Sequence, residues 1–263
     1  MLYPLEVFLV GVAVGFLGGL FGKGGSAIAT PLLSLAGAPG YIAVATPLPA
    51  TIPGTLMASF AYEKARLWDR EIIVWSILIG LPSVVLGSYL SRYTGAKPLL
   101  AVTGLLVLGF GVSFLVQRGH GPEAVEPAGP AAFDALPHRR LRLAVVAIGV
   151  GLVSGLLANS GGFLLAPSYA RFLGRPIKTA FASSLVVSAF LAVPGSIVHW
   201  YLGHIAWREM LLLAAGSVPC SYLGARVALR VRSATLERWY GLALTALGLF
   251  FLGRLWAGTE LRP

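Results

Sequence analysis

Residues 19–31 read GLFGKGGSAIATP, and residues 155–167 read GLLANSGGFLLAP. Four positions in and just before these stretches match at a constant separation of 136 residues: Gly15 and Gly151, Gly19 and Gly155, Gly25 and Gly161, Pro31 and Pro167. Each copy ends an apolar stretch in a glycine-rich break, which a short apolar run and a proline follow. In a chain rich in apolar residues, two such breaks are typical of a binding site built from interrupted membrane helices.

The composition is that of a polytopic membrane protein. Of the 263 residues, 11% are charged and 57% are hydrophobic, whereas an ordinary soluble domain has about 25% charged residues. The net charge is +10, but the basic residues lie in the short segments between apolar runs, where orientation in the bilayer explains them. No basic helix or aromatic-interleaved patch indicates a nucleic-acid partner. The first residues lack the basic start of a secretory signal, so the first apolar segment is expected to remain as a membrane helix.

Eight apolar runs are long enough to cross the bilayer as helices, which takes about 20 residues. They cover residues 4–22, 41–62, 71–91, 97–117, 141–158, 179–201, 208–229 and 234–256. Two further runs, 26–36 and 162–172, are shorter, since eleven residues of helix reach about 16 Å, roughly half the hydrocarbon core. Each short run is therefore interpreted as the return arm of a hairpin whose glycine-rich tip lies near mid-membrane.

The repeat divides the chain into a first membrane repeat (1–118), a Pro- and Gly-rich cytoplasmic linker (119–140) and a second membrane repeat (141–263). Beyond the hairpins, matching pairs such as Pro82 and Pro219 lie 137 residues apart. If each short run returns to the side it came from, the second repeat is inverted, and thirteen Lys and Arg residues then share one face against five on the other. This bias is typical of a cytoplasmic face. We predict an all-α polytopic membrane protein with two inverted repeats, each a glycine-tipped helical hairpin plus three spanning helices.

Lys23 is the one basic residue that this topology leaves inside the membrane. A cation there costs about 2.5–3.5 kcal/mol, so it usually has a partner or faces water. Every Asp and Glu lies near a segment end or in a loop, so the ligand that suits Lys23 is an anion. The alternative is that Lys23 extends to a lipid headgroup from a hairpin nearer the surface.

The tip glycines favour an anion site for a second reason. A short helix that begins after Gly24-Gly25, or at Gly161-Gly162, presents backbone N–H groups and the positive end of its dipole. With inverted repeats the two tips can meet near the midplane, where Ser26, Asn159 and Ser160 add side-chain donors. Alternatively, the glycines only permit close helix packing, the favoured interpretation for the glycines that precede the tips.

The second span of each repeat is a further candidate. Prolines at positions 47, 49 and 53 are expected to break the first of these helices and to free backbone carbonyls. The hydroxyls of Thr46, Ser183 and Ser184 would then face the site, unless they only bond their own backbone. The predicted substrate-binding residues are thus Lys23, Gly24, Gly25, Ser26, Thr46, Asn159, Ser160, Gly161, Gly162, Ser183 and Ser184.

No catalytic residue, metal or cofactor is expected. Gly22-Lys23 lacks the earlier glycine and the following Ser or Thr of a phosphate-binding loop, and nothing in the pattern activates Ser160 through His199. Cys220 is the only cysteine, which excludes an internal disulfide and a thiolate metal cluster. His199 and His204 are interpreted as interfacial residues, with a proton-sensing role as the alternative.

The order and duplication of these motifs resemble the TauE/SafE family of sulfite exporters, also called the toluene sulfonate uptake permease family. The matching features are the stretch 19–26 with Pro31, the Ala45-Thr46 stretch, and the second copy from Gly151 to Pro167 with Ala182-Ser183-Ser184. The resemblance covers nearly the whole chain and implies transport of small sulfur-containing anions across the bacterial cytoplasmic membrane.

We therefore expect a multi-pass transporter of the cytoplasmic membrane that exports sulfite or a related sulfur anion, driven by the membrane potential. The partners are a small anion and the lipid bilayer. The alternatives are an uptake permease for organosulfonates or other oxyanions, and a membrane scaffold without transport. The substrate, the direction, the coupling ion and a homodimer stay open at this point.

Overall fold

The computed structural model describes residues 4–22, 25–38, 40–90, 93, 96–116, 139–157 and 161–256. Within these ranges the chain is helical and forms no strand. The helices are α1 (Pro4–Phe21), α2 (Ser26–Leu35), α3 (Gly40–Ala45), α4 (Pro47–Lys64), α5 (Arg70–Leu90), α6 (Ala96–Val116), α7 (Arg139–Leu156), α8 (Gly162–Phe172), α9 (Ile177–Tyr201), α10 (Trp207–Arg230) and α11 (Ser233–Trp256).

The predicted all-helical membrane architecture is confirmed, and the helix bounds agree with the apolar runs to within about two residues. Five helical stretches in the described ranges are long and apolar enough to cross a membrane: Pro4–Phe21, Ile42–Lys64, Arg70–Leu90, Ile177–Tyr201 and Trp207–Arg230. The two short arms appear as α2 and α8, with 10 and 11 residues. Since each begins directly after a glycine-rich break, both are separate helices rather than continuations of the preceding span.

The expectation that three prolines break the second span is wrong for two of them. The helix is interrupted only at Thr46, and Pro47 starts α4 at the position where a proline has no hydrogen bond to lose. Pro53 lies inside a continuous helix. Threonine hydroxyls lie on both sides of it, and those of Thr51 and Thr55 donate to the carbonyls of Leu48 and Ile52, at 3.0 and 2.9 Å. The carbonyl that Pro53 leaves without its helical partner is that of Pro49, and these two hydroxyls bond other carbonyls of the helix.

The centre of the bundle is formed by α4 and α9. The spans that contain them are the most buried of the five apolar spans. They pack against each other, while α10 packs on α4 and α5 packs on α9. The outer pairs are α1 with α10, α5 with α7, and α6 with α11. Each half thus buries its helices largely against helices of the other half.

The closest backbone contacts repeat in the two halves. A Cβ atom on any of four glycines in α1 and α7 would collide with the backbone or Cβ of the facing helix, so only glycine permits these approaches. The pairs are Gly15 with Ser217, Gly19 with Ser221, Gly151 with Gly80, and Gly155 with Val84. Adding 136 to the α1 residues and subtracting 137 from the α10 residues converts the first two pairs into the last two. The expectation that these glycines serve helix packing is confirmed.

The helices α6 and α11 occupy equivalent places in the two halves and run antiparallel to each other. A Cβ on Gly111 would meet Thr245, and a Cβ on Gly248, further along α11, would meet Leu108, earlier along α6. In contrast, α1 and α10 advance together, because Gly11 faces Leu213 and Gly15 faces Ser217. The direction of the chain is therefore opposite in the equivalent helices α6 and α11.

Segments rich in Lys and Arg meet at one end of the bundle. Arg139 at the start of α7 pairs with Glu71 in α5 at 3.3 Å, and Arg175 after α8 pairs with Asp69 before α5. Lys178 in α9 donates to the carbonyl of Leu229 in α10 at 3.0 Å. The segments that the charge pattern assigned to a single face are thus in contact.

Candidate functional site

The two glycine-rich breaks begin their short helices with the same backbone hydrogen bonds. The carbonyl of Gly25 accepts the N–H groups of Ile28 and Ala29 at 3.2 and 3.0 Å, and that of Gly161 accepts those of Leu164 and Leu165 at 2.9 and 3.0 Å. These residues correspond at the 136-residue offset. Both α2 and α8 therefore start in the same way, with the first-turn N–H groups and the positive dipole end directed at the break.

Positive backbone angles explain a glycine on each break. Gly22 has φ +62° and Gly161 has φ +70°, which are left-handed values that residues with a Cβ rarely adopt. The predicted site residues Gly25, Ser26, Gly161 and Gly162 are all buried. Polar backbone at the start of α2 and α8 thus lies inside the protein rather than against lipid, as irregular backbone at membrane depth must.

Four of the predicted residues, Lys23, Gly24, Asn159 and Ser160, lie outside the described residues. Their role in binding stays a prediction. In the described part of the chain, α2 and α8 make no extensive contact with each other. The first break instead touches α9, where the Ser184 hydroxyl donates to the carbonyl of Gly22 at 2.8 Å. The second half of the chain therefore holds the first tip through Ser184.

A small cavity of about 10 Å³ lies beside the first tip. Gly25 lines it together with three glycines of α1 and four hydroxyl residues, Thr51, Thr55, Ser217 and Ser221. This volume suits about one water molecule, and it is too small for a sulfur oxyanion. The Ser221 hydroxyl crosses between helices, donating to the carbonyl of Gly54 at 2.7 Å. The described residues therefore leave no room for an oxyanion in this cavity.

Thr46 and Ser183 occupy equivalent positions in the two halves and make equivalent hydrogen bonds. The Thr46 hydroxyl accepts the N–H of Ala206, and the Ser183 hydroxyl accepts the N–H of Asp69, both at 3.2 Å. Ala206 directly precedes α10 and Asp69 directly precedes α5, so each hydroxyl satisfies a donor at the start of a span in the opposite half. A ligand role for these two residues stays a prediction, and the contacts add a structural role.

The contact at Ser183 differs from that at Thr46, because its partner Asp69 also forms a buried ion pair. The sequence analysis missed this ion pair. Asp69 and Arg175 pair through Oδ2 and Nη2 with both side chains almost fully buried. The other Asp69 oxygen, Oδ1, accepts the N–H of Ile72 at 3.1 Å and so caps α5. Burial lowers the pKa of the Arg175 guanidinium, and the charge of Asp69 opposes this shift. The available signal was an acid at position 69 where the equivalent residue is Ala206.

The remaining candidates are two histidines and a cysteine, and no contact among the described residues joins them to the glycine-rich breaks. His199 and His204 approach each other with Nδ1 atoms 3.3 Å apart, at the end of α9 and in the loop that follows. Cys220 in α10 is a free, half-buried thiol. Among the described residues, no group of three or more His, Cys, Asp and Glu side chains could hold a metal ion.

Comparisons with known proteins agree on a transporter family. The family model for the sulfite exporter TauE/SafE matches residues 7–251. A probable membrane transporter protein of Xylella fastidiosa (strain 9a5c) is 27% identical over 252 residues, or 94% of each chain. The probable membrane transporter protein MJ0441 of Methanocaldococcus jannaschii is 28% identical over 274 residues, or 96% of each chain. The probable membrane transporter protein YunE of Bacillus subtilis (strain 168) is 22% identical over 259 residues. No solved structure matches the chain.

Proposed function

Since the chain belongs to the sulfite exporter TauE/SafE family, a family of multi-pass membrane transporters, we propose that it exports sulfite or a closely related small sulfur oxyanion. The observation that carries this proposal is the pair of buried helix starts at Gly25 and Gly161, which share one backbone hydrogen-bonding pattern. Helix starts of this kind bind anions through their N–H groups and dipoles. Lys23, next to the first start in sequence, would supply the positive charge that the anion needs.

The proposal includes two repeats of inverted orientation. The antiparallel course of the equivalent helices α6 and α11 supports it, because two-fold related helices run antiparallel when the axis is perpendicular to them. The meeting of the basic segments at one end also supports it, since this end then faces the cytoplasm. Inverted repeats with broken helices around a central site are a common basis for alternating access.

Transport would require the small cavity beside Gly25 to widen. A volume of about 10 Å³ holds no oxyanion, so α4 and α10, which supply its hydroxyls, would have to separate from α1. The glycine contacts between α1 and α10 involve backbone rather than interlocking side chains. Because these contacts involve no interlocking side chains, they would permit one half to rock against the other around the two tips.

The direct test is sulfite efflux from proteoliposomes. Replacing Lys23 with Met removes a charge-assisted contact worth about 1.5–3 kcal/mol, so efflux at low sulfite concentration should fall about tenfold or more. Lys64→Met is the matched control, because Lys64 is exposed at the end of α4. A scaffold without transport predicts no protein-dependent flux at all, and equal flux in wild type and Lys23→Met would refute the anion site.

A second measurement addresses the driving force. No Asp or Glu lies within the apolar part of a span to relay protons, so we propose export without a coupling ion. An inside-negative potential favours anion exit by about 2.3 kcal/mol per charge for each 100 mV. Efflux should therefore increase with imposed voltage at constant pH. Flux that ignores voltage and follows a pH gradient would contradict this mechanism, and coupled inward flux would favour the uptake alternative.

A further inference from the structure

A groove of about 510 Å³ opens between α6 of the first half and α7 of the second half. In the described residues these two helices make no extensive contact, whereas α8 packs against α7 and touches α6. The re-entrant helix α8 therefore forms the floor, to which it contributes Leu164, Ser168 and Phe172. Phe172 meets Phe110 of α6 edge to face, with ring centroids 5.9 Å apart. Except for Ser168 and Arg142, the groove is lined by apolar residues and a glycine.

One residue gives the groove a positive end. Arg142, in the first turn of α7, lines the groove and is exposed. Its neighbour Arg139 pairs with Glu71, but within the described ranges no carboxylate forms an ion pair with Arg142. The position equivalent to Arg142 in α1 is Glu6, so the repeat carries the opposite charge there. The combination of an apolar trough and an arginine is thus particular to the second half.

We infer that this groove binds an anionic phospholipid, with an acyl chain lying on α8 and the phosphate at Arg142. The apolar lining matches an acyl chain, and the volume is within the range of pockets that enclose small ligands. Basic pockets between membrane helices recognise anionic headgroups. This inference depends on the membrane location of the chain and not on the proposed transport.

The bound lipid would support the second tip. The helix α8 is too short to span the membrane and begins at Gly162, beside the second glycine-rich break. An acyl chain in the groove would cover Phe172, the exposed residue at the end of this helix. Anionic lipid should therefore stabilise the arm that carries one of the two helix starts.

Photolabelling can locate the lipid, using phosphatidylglycerol with a diazirine in its acyl chain and the full-length protein in nanodiscs. Of the α8 residues that line the groove, Leu164 and Ser168 are only 3% and 4% exposed, whereas Phe172 is 52% exposed, so an acyl chain in the groove should label α8 at Phe172. Gly149→Leu should fill the groove, since a Cβ at Gly149 meets no atom within 4 Å. Gly109→Leu is the matched control, because Gly109 is equally open but does not line the groove. Label on residues 162–172 should be lost in the first variant and kept in the second.

The headgroup is tested with Arg142→Gln. Each basic residue near the membrane surface adds about fivefold in affinity for anionic lipid. In the wild type, phosphatidylglycerol should therefore displace the label about fivefold better than phosphatidylcholine does, and in Arg142→Gln the two lipids should displace it about equally. Arg140→Gln, a neighbouring exposed residue that does not line the groove, is the control. Equal competition by both lipids in the wild type, no label on α8, or crosslinks to a second copy of the chain would each overturn the inference.

Discussion

The two ends of the bundle are closed by related but unequal contacts. At one end the Thr46 hydroxyl accepts the N–H of Ala206, and at the other the Ser183 hydroxyl accepts the N–H of Asp69. Among the residues that the structure describes, only the second end adds a buried ion pair, between Asp69 and Arg175. A repeated framework can therefore carry contacts of different strength at its two ends, because single substitutions at equivalent positions change the contact and not the fold.

The ion pair is expected to give the largest difference between the ends. Arg175→Met leaves the Asp69 carboxylate buried without its partner, and such a loss typically costs about 3–5 kcal/mol. Thermal unfolding in detergent should show this as a marked fall in Tm. The double variant Asp69→Asn, Arg175→Met should recover most of the loss, because Asn retains the cap on Ile72 without the charge. A small effect of Arg175→Met, or no recovery in the double variant, would remove the proposed asymmetry.

The glycine contacts are expected to be equal in the two halves. Gly19→Ala and Gly155→Ala each place a Cβ against the backbone of the facing helix, and such overpacking costs about 1–3 kcal/mol. The two variants should lower Tm by similar amounts. Gly109→Ala, where a Cβ meets nothing within 4 Å, should leave Tm unchanged or raise it slightly. Unequal losses at positions 19 and 155 would show that the halves differ in packing as well as in charge.

The smallest expected effect concerns the two equivalent hydroxyls. Thr46→Val and Ser183→Ala each remove the acceptor of one backbone N–H, with an expected loss of about 1 kcal/mol. The fall in Tm should be smaller for Ser183→Ala, because the Asp69–Arg175 pair still holds that end. In an Arg175→Met background, Ser183→Ala should lower Tm by as much as Thr46→Val does in the wild type. If Ser183→Ala is the more harmful of the two single variants, the comparison between the ends is wrong.

Local features of the sequence predicted most of the helices. The arm at 162–172 agrees with α8 residue for residue, because a glycine-rich break precedes it and Gly174 and Pro176 follow it. The prolines of α4 were less informative. Pro47 does begin a helix, but Pro53 does not end one, since burial against α9 and α10 outweighs the lost backbone hydrogen bond.

The sequence predicted where some site residues lie along the helices, but it did not predict which residues they contact. Gly25 and Gly161 are helix starts, as their spacing suggested. Thr46 and Ser183 accept N–H groups from segments more than 100 residues away. Spacing along the chain cannot predict such partners, because they depend on how helices from the two halves cross.

By itself the sequence determined a membrane protein of repeated design, its helix lengths and its two breaks. These follow from local quantities: the length of apolar runs, the conformational freedom of glycine and the periodic recurrence of both. Only the tertiary structure decided the ion pair between Asp69 and Arg175, the small cavity beside Gly25 and the groove that Arg142 lines. Each of these requires residues distant in the chain to approach within a few ångströms, and that approach is set by packing between the halves.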